Sequence, residues 1–117
     1  FEEIDLFFRC KINNLKVYVV TDLYYKHLRA TSIKLENSNE LIRLRQWHYM
    51  WSMFYFYKKN YSYFGAIKKT YFYLTKDFIM IFVNLIKLDK KNFFIRLNRL
   101  MGLVSSMLLL SSYKRLK

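Results

Sequence analysis

Trp47-His48-Tyr49-Met50-Trp51-Ser52-Met53-Phe54-Tyr55-Phe56-Tyr57 is the stretch on which the fold turns. It lies within residues 41–59, which contain no Pro or Gly. Coiled as a helix, it shows apolar or aromatic side chains on every face. Such a helix is buried in a bundle or touches lipid. Upstream, Ser38 with Asn39 and Glu40 supplies a helix start. Downstream, residues 60–65 read as a turn. Residues 66–88 read as a second long helix, with Lys68, Lys69, Lys76 and Lys87 set among Phe, Ile, Leu and Val. Asp89-Lys90-Lys91 makes a polar corner. Residues 92–111 give a third helix, with Phe94, Leu97, Leu100, Met101, Val104 and Leu108 at helical spacing. A basic tail follows at 113–117. No Pro and only two Gly in 117 residues favour such long elements.

The amino-terminal third reads differently. Residues 2–12 suit a short helix, with Glu2, Glu3 and Asp5 at its positive end. Asn13-Asn14 is a helix stop. Residues 16–20, rich in Val and Tyr, suit a β-strand, and residues 23–27 a second short one. Thr21-Asp22 separates them as a turn, and residues 29–36 read as a loop. The expected fold class is therefore α+β, mostly helical, with one or two short strands and then three helices.

Charge divides the chain at the same place. Residues 1–37 carry six Lys and Arg against five acids. Residues 38–117 carry fifteen against three (Glu40, Asp77 and Asp89), a net of +12. A boundary is expected near residue 37. A basic surface of this size attracts nucleic acid or anionic lipid. The basic residues alternate with long apolar blocks and form no RNA-binding motif or zinc finger. A small ribosome-associated protein and a non-catalytic membrane-surface protein stay open as alternatives. The apolar content of 54% excludes disorder. Cys10 is the only cysteine, so no internal disulfide forms. The longest charge-free stretch, residues 100–113, is 14 residues with four Ser, too short to span a bilayer, which takes about 20.

Several short motifs occur in a fixed order. Glu2-Glu3 is followed by Asp5-Leu6 and then Arg9. Lys16-Val17-Tyr18-Val19-Val20-Thr21-Asp22 follows, then Tyr24-Tyr25-Lys26-His27 and Ser32. Trp47-His48-Tyr49-Met50-Trp51-Ser52 runs into Phe54-Tyr55-Phe56-Tyr57-Lys58-Lys59. In this order they resemble the end of the catalytic domain of family 2 glycosyltransferases, which have the GT-A fold; bacterial rhamnosyltransferase-like members are the most similar. The resemblance implies that residues 1–37 close a GT-A α/β domain and that residues 38–117 form a membrane-associated extension. It implies the carboxyl-terminal part of an enzyme that moves a sugar, with inversion, from a nucleotide-sugar to a lipid-linked or polysaccharide acceptor. The location implied is the cytoplasmic face of a bacterial inner membrane, on an anionic surface, with no nucleic acid as partner.

The same resemblance implies roles for residues. Glu3 matches the catalytic base, where the wider family more often has Asp. Glu2 and Asp5 are its acidic neighbours. His27 matches a histidine that helps hold a divalent metal, Mg or Mn, on the diphosphate. The other metal ligands and the nucleotide-binding half would precede Phe1, so the 117 residues alone are expected to be inactive. Arg29-Ala30-Thr31 stands where the family often has Gly-Gly, a departure in the loop nearest substrate. The chemistry agrees with these roles. An inverting transfer needs a base to take the acceptor proton, and a carboxylate among carboxylates suits it. A metal neutralises the departing diphosphate, and neutral imidazole is a competent ligand. Arg9, four residues after Asp5, reads as a helix ion pair. His48, between aromatics, reads as a packed or interfacial side chain.

Overall fold

The computed structural model describes residues 1–24 and 38–114. They contain four helices: α1 Glu2–Ile12, α2 Ser38–Asn60, α3 Tyr63–Ile86 and α4 Lys90–Met107. The chain divides into two units, Phe1–Glu36 and Asn37–Lys117.

In the first unit, α1 starts on its three acids and ends where the Asn13 side chain donates to the Arg9 carbonyl at 2.8 Å. Residues 15–20 form no strand. The α+β expectation, with short strands closing a GT-A domain, is therefore corrected: the described residues are all helical or irregular. Residues 16–20 have strand composition but no described strand beside them. An unpaired ribbon leaves its amides to water and is not stable as a strand. Val19 is 88% exposed. Of the second expected strand, Leu23 and Tyr24 are irregular and the remainder lies outside the described residues, as do Ser32 and the loop at 29–36.

The second unit is three helices packed on one another. Its apolar centre comes from α2: Leu41, Trp47, Met50, Met53, Phe54 and Phe56 are buried. Across from Trp47, α4 comes so close that a Cβ on Gly102 would lie 2.2 Å from the Trp47 carbonyl oxygen. Only glycine fits there without moving a helix. Gly102→Ala is expected to cost about 1–3 kcal/mol in urea unfolding, as overpacking against rigid backbone does.

Helix α3 begins where Ser62 Oγ accepts from the Gly65 amide at 2.9 Å, and α4 where Asp89 accepts from Asn92 at 3.0 Å. The Asn92 backbone and side-chain amides hold the Asp89 carboxyl below its usual range. Three helices end alike. Asn14, Leu88 and Leu109 take the left-handed conformation, with φ of 52°, 54° and 60°. The next amide then reaches back over the last turn: Leu15 to Cys10, Asp89 to Asn84 and Leu110 to Ser105. This is a Schellman-type stop made without glycine.

The inside of α3 is polar. Its buried residues are Ala66, Thr70, Asp77 and Asn84, the last three spaced by seven. Phe64, Tyr71, Phe72, Phe78, Ile79, Phe82, Leu85 and Ile86 are exposed. Helix α4 buries Asn98, Gly102, Leu103, Ser105 and Ser106, while Phe94, Met101, Val104 and Leu108 of its expected apolar row are exposed. No helix among the described residues is long and apolar enough to cross a membrane.

Candidate functional site

The three carboxylates of α1 are close in sequence but differ in their surroundings. Glu2 is exposed and accepts from the Phe1 ammonium at 2.9 Å; that hydrogen bond holds its carboxyl below the usual range. Asp5 accepts from Arg9 Nε at 3.1 Å, the expected i,i+4 pair. Glu3 is exposed, and it lies about 160° around the helix from Asp5 at roughly 100° per residue. Asp5 and Glu3 thus face different sides of α1. His27 lies outside the described residues, so its approach to Glu3 is not part of the geometry. Among the described residues no three His, Cys, Asp or Glu side chains come together as a metal site.

The strongest electrostatic assembly lies in the second unit, at residues that motif reading passes over. Asp77 of α3 is 1% exposed. One oxygen accepts from Arg96 and the other from Arg99 Nε, both at 2.8 Å. Arg99 also donates to Gln46 Oε1 of α2 at 2.6 Å. One carboxylate thereby ties α3 to α4, and the bridge continues to α2. Both Asp77 oxygens are occupied by guanidinium groups. The arrangement suits holding helices together, and its burial keeps the carboxylate from solvent. A signal was present: Asp77 is the one acid between residues 66 and 88, in an otherwise apolar and basic helix. A lone carboxylate in such a helix has to find a cation.

A second assembly grips the chain after α4. Tyr63 OH donates to the Met107 carbonyl at 3.0 Å, and Trp51 Nε1 to that of Leu110 at 3.0 Å. His48 Nε2 meets the Lys114 carbonyl at 2.9 Å, and its Nδ1 meets Ser112 Oγ at 3.0 Å. A carbonyl only accepts, so Nε2 carries the proton; in the neutral ring Nδ1 accepts from Ser112. Trp47 and Tyr113 pack edge to face at 5.3 Å. Lys114 Nζ donates to Asn98 Oδ1. Burial, and then Arg43, lowers the Lys114 pKa. His48 is therefore a packing and pinning residue. The polar tips of the aromatic stretch are what hold the tail.

Two hollows among the described residues of this unit bear on a site. One of about 370 Å³ lies where α3 turns into α4 and is lined by Leu85, Leu88, Phe93 and Phe94 with Asn84. Asn84 Nδ2 is buried with no hydrogen-bond partner among the described residues. A shallower one of about 280 Å³ lies between Trp51, Tyr55 and the tail. Asp89 and Lys90 also line the first, and Ser112, whose hydroxyl meets His48 Nδ1 at 3.0 Å, lines the second. No protein-family model, curated protein or solved structure matches the chain.

Proposed function

We propose that the chain serves an inverting glycosyltransferase that moves a sugar from a nucleotide-sugar to a lipid-linked or polysaccharide acceptor, at the cytoplasmic face of a bacterial inner membrane. The nucleotide-binding part is then supplied by sequence outside these 117 residues. The observation that carries the reading is the separation of Glu3 from Asp5 on α1. Asp5 is occupied by Arg9. Glu3 is exposed on another side of the helix, with no ion-pair partner among the described residues. That exposure suits the role of base toward an acceptor.

In this reading Glu3 takes the proton of the acceptor hydroxyl as its oxygen attacks the anomeric carbon. The bond from that carbon to the diphosphate breaks, and the nucleoside diphosphate leaves with the electron pair. The attack comes from the face opposite the leaving group, which gives inversion. The ordered motifs from Glu2 through Lys59 support the assignment. The exposed apolar residues and surplus lysines of the second unit suit a membrane location.

The test is Glu3→Gln in the complete enzyme, with transfer and nucleotide-sugar binding measured side by side. Loss of transfer with donor binding retained is expected. Wild-type turnover in the variant overturns the proposal.

A further inference from the structure

We infer that the outward face of α3 is the surface on which the helical unit lies against an anionic bilayer, with the helix axis in the membrane plane. The inference rests on the membrane location proposed above but not on sugar transfer.

Three observations carry it. The first is the reversed burial of α3. A helix in a water-soluble bundle turns its apolar stripe inward. Here Thr70, Asp77 and Asn84 point in, and Phe78, Ile79, Phe82 and Ile86 point out. Phe82 is 52% exposed and Ile86 82%. Small and polar contacts between helices with an apolar outside are the arrangement used where the outside is lipid.

The second is the placement of the lysines. Lys69, Lys76 and Lys87 are exposed and spaced by seven and eleven residues. At roughly 100° per residue those steps return to within about 20° of one line. The three therefore form a row along one flank of the apolar face, about 120° from its centre, and the fourth exposed lysine, Lys68, rises from the face itself, about 25° from that centre. Two are already laid along aromatic rings: Lys69 Nζ is 4.7 Å from the Tyr61 ring centre and Lys76 Nζ 5.7 Å from that of Phe72. Such stems reach from the apolar layer to the headgroup phosphates.

The third separates the occupants. The sole acid of α3, Asp77, is buried against Arg96 and Arg99. A second copy docking through this face offers no exposed α3 carboxylate to the lysine row. Lipid phosphates offer one charge per headgroup. A spanning orientation is excluded for the described helices by their length and polarity.

The experiment is flotation of the 117-residue chain with vesicles of phosphatidylcholine, with and without phosphatidylglycerol. Flotation that rises with phosphatidylglycerol and falls with salt is expected. Replacing Lys69, Lys76 and Lys87 together by Gln is expected to lower partitioning about a hundredfold, roughly fivefold for each lysine. Replacing Phe78, Phe82 and Ile86 together by Ser is expected to lower it at least about tenfold, from lost apolar burial. These side chains are exposed, so helicity by circular dichroism is expected to stay unchanged. Tyr55→Ser, on α2, is the control that leaves flotation intact. Equal flotation of the wild type and both triple variants overturns the inference. So does a dimer in sedimentation that the Ser variant splits while its vesicle binding persists, which would make a second copy the occupant. No sugar is transferred in this assay. Its failure removes the docking face and leaves Glu3 to be judged by Glu3→Gln, and the reverse.

Discussion

Glu3→Gln is expected to lower kcat for sugar transfer about 10²- to 10⁴-fold, the range a positioned general base contributes. That equals about 3–5.5 kcal/mol of transition-state stabilisation. Gln keeps the size and hydrogen-bonding reach of Glu but cannot take a proton. The interaction exists only while the acceptor hydroxyl is being deprotonated. So kcat and kcat/KM should fall together, and KM for the nucleotide-sugar should hardly change. The substitution is mild for the fold, because Glu3 is exposed in the first turn of α1. Glu3→Asp keeps the charge on a shorter stem and should recover part of the rate. Asp5→Asn tests the separation of roles: it breaks an exposed ion pair with Arg9, worth little. It should leave transfer within a few-fold of wild type. Equal losses from Asp5→Asn and Glu3→Gln would mean that the acidic segment acts as a helix start and no base.

Asp77→Ala is expected to destabilise the second unit by about 3–5 kcal/mol in urea unfolding. The carboxylate is 1% exposed and holds two guanidinium groups at 2.8 Å. Its removal strands Arg96 and Arg99 between helices with no counter-charge. Their partial exposure, 28% and 14% of the side chains, lets water recover some of that cost. The lower half of the range is therefore favoured. A domain of this size has a total stability of about 5–15 kcal/mol, so the loss is a large fraction of the whole and should appear as a clearly lower urea midpoint. Changing all three residues to apolar ones of similar volume should restore much of the loss, because it removes the stranded cations along with the pair. A loss under about 1 kcal/mol for Asp77→Ala would mean the three-helix tie is weak.

Helix existence was legible in the residues, and two helix starts with it. The acids at 2, 3 and 5 and the Asn pair at 13 and 14 bracket α1, and Ser38 opens α2. Other ends were hidden. Helix α3 begins at Tyr63, inside the expected turn, because a single capping serine at 62 suffices. Helix α4 stops at Met107, short of the expected 111, through a left-handed Leu109 that carries no glycine to announce it. The strand at 16–20 failed because Val and Tyr report tolerance for a pleated surface and not the presence of a neighbour. The inside of the bundle was the larger miss. Periodicity located the row Phe94, Leu97, Leu100, Met101, Val104 and Leu108, of which Leu97 and Leu100 are half-buried and the other four exposed. Thr70, Asp77 and Asn84, each seven apart, were the better guide to the interior. Of the candidate site, the Asp5–Arg9 pair followed from spacing alone. The separation of Glu3 from Asp5 follows from helix geometry, once adjacency in sequence is no longer taken for adjacency in space.

The grip on the segment after α4 has a bearing on how this chain can drift. Tyr63, Trp51 and His48 take hold of the main-chain carbonyls of Met107, Leu110 and Lys114. Every amino acid offers that oxygen, so these three bonds read no side chain. What selectivity the seat has comes from Ser112 on His48, Tyr113 on Trp47 and Lys114 on Asn98, and drift is freest at Met107 and Leu110, which are held by backbone.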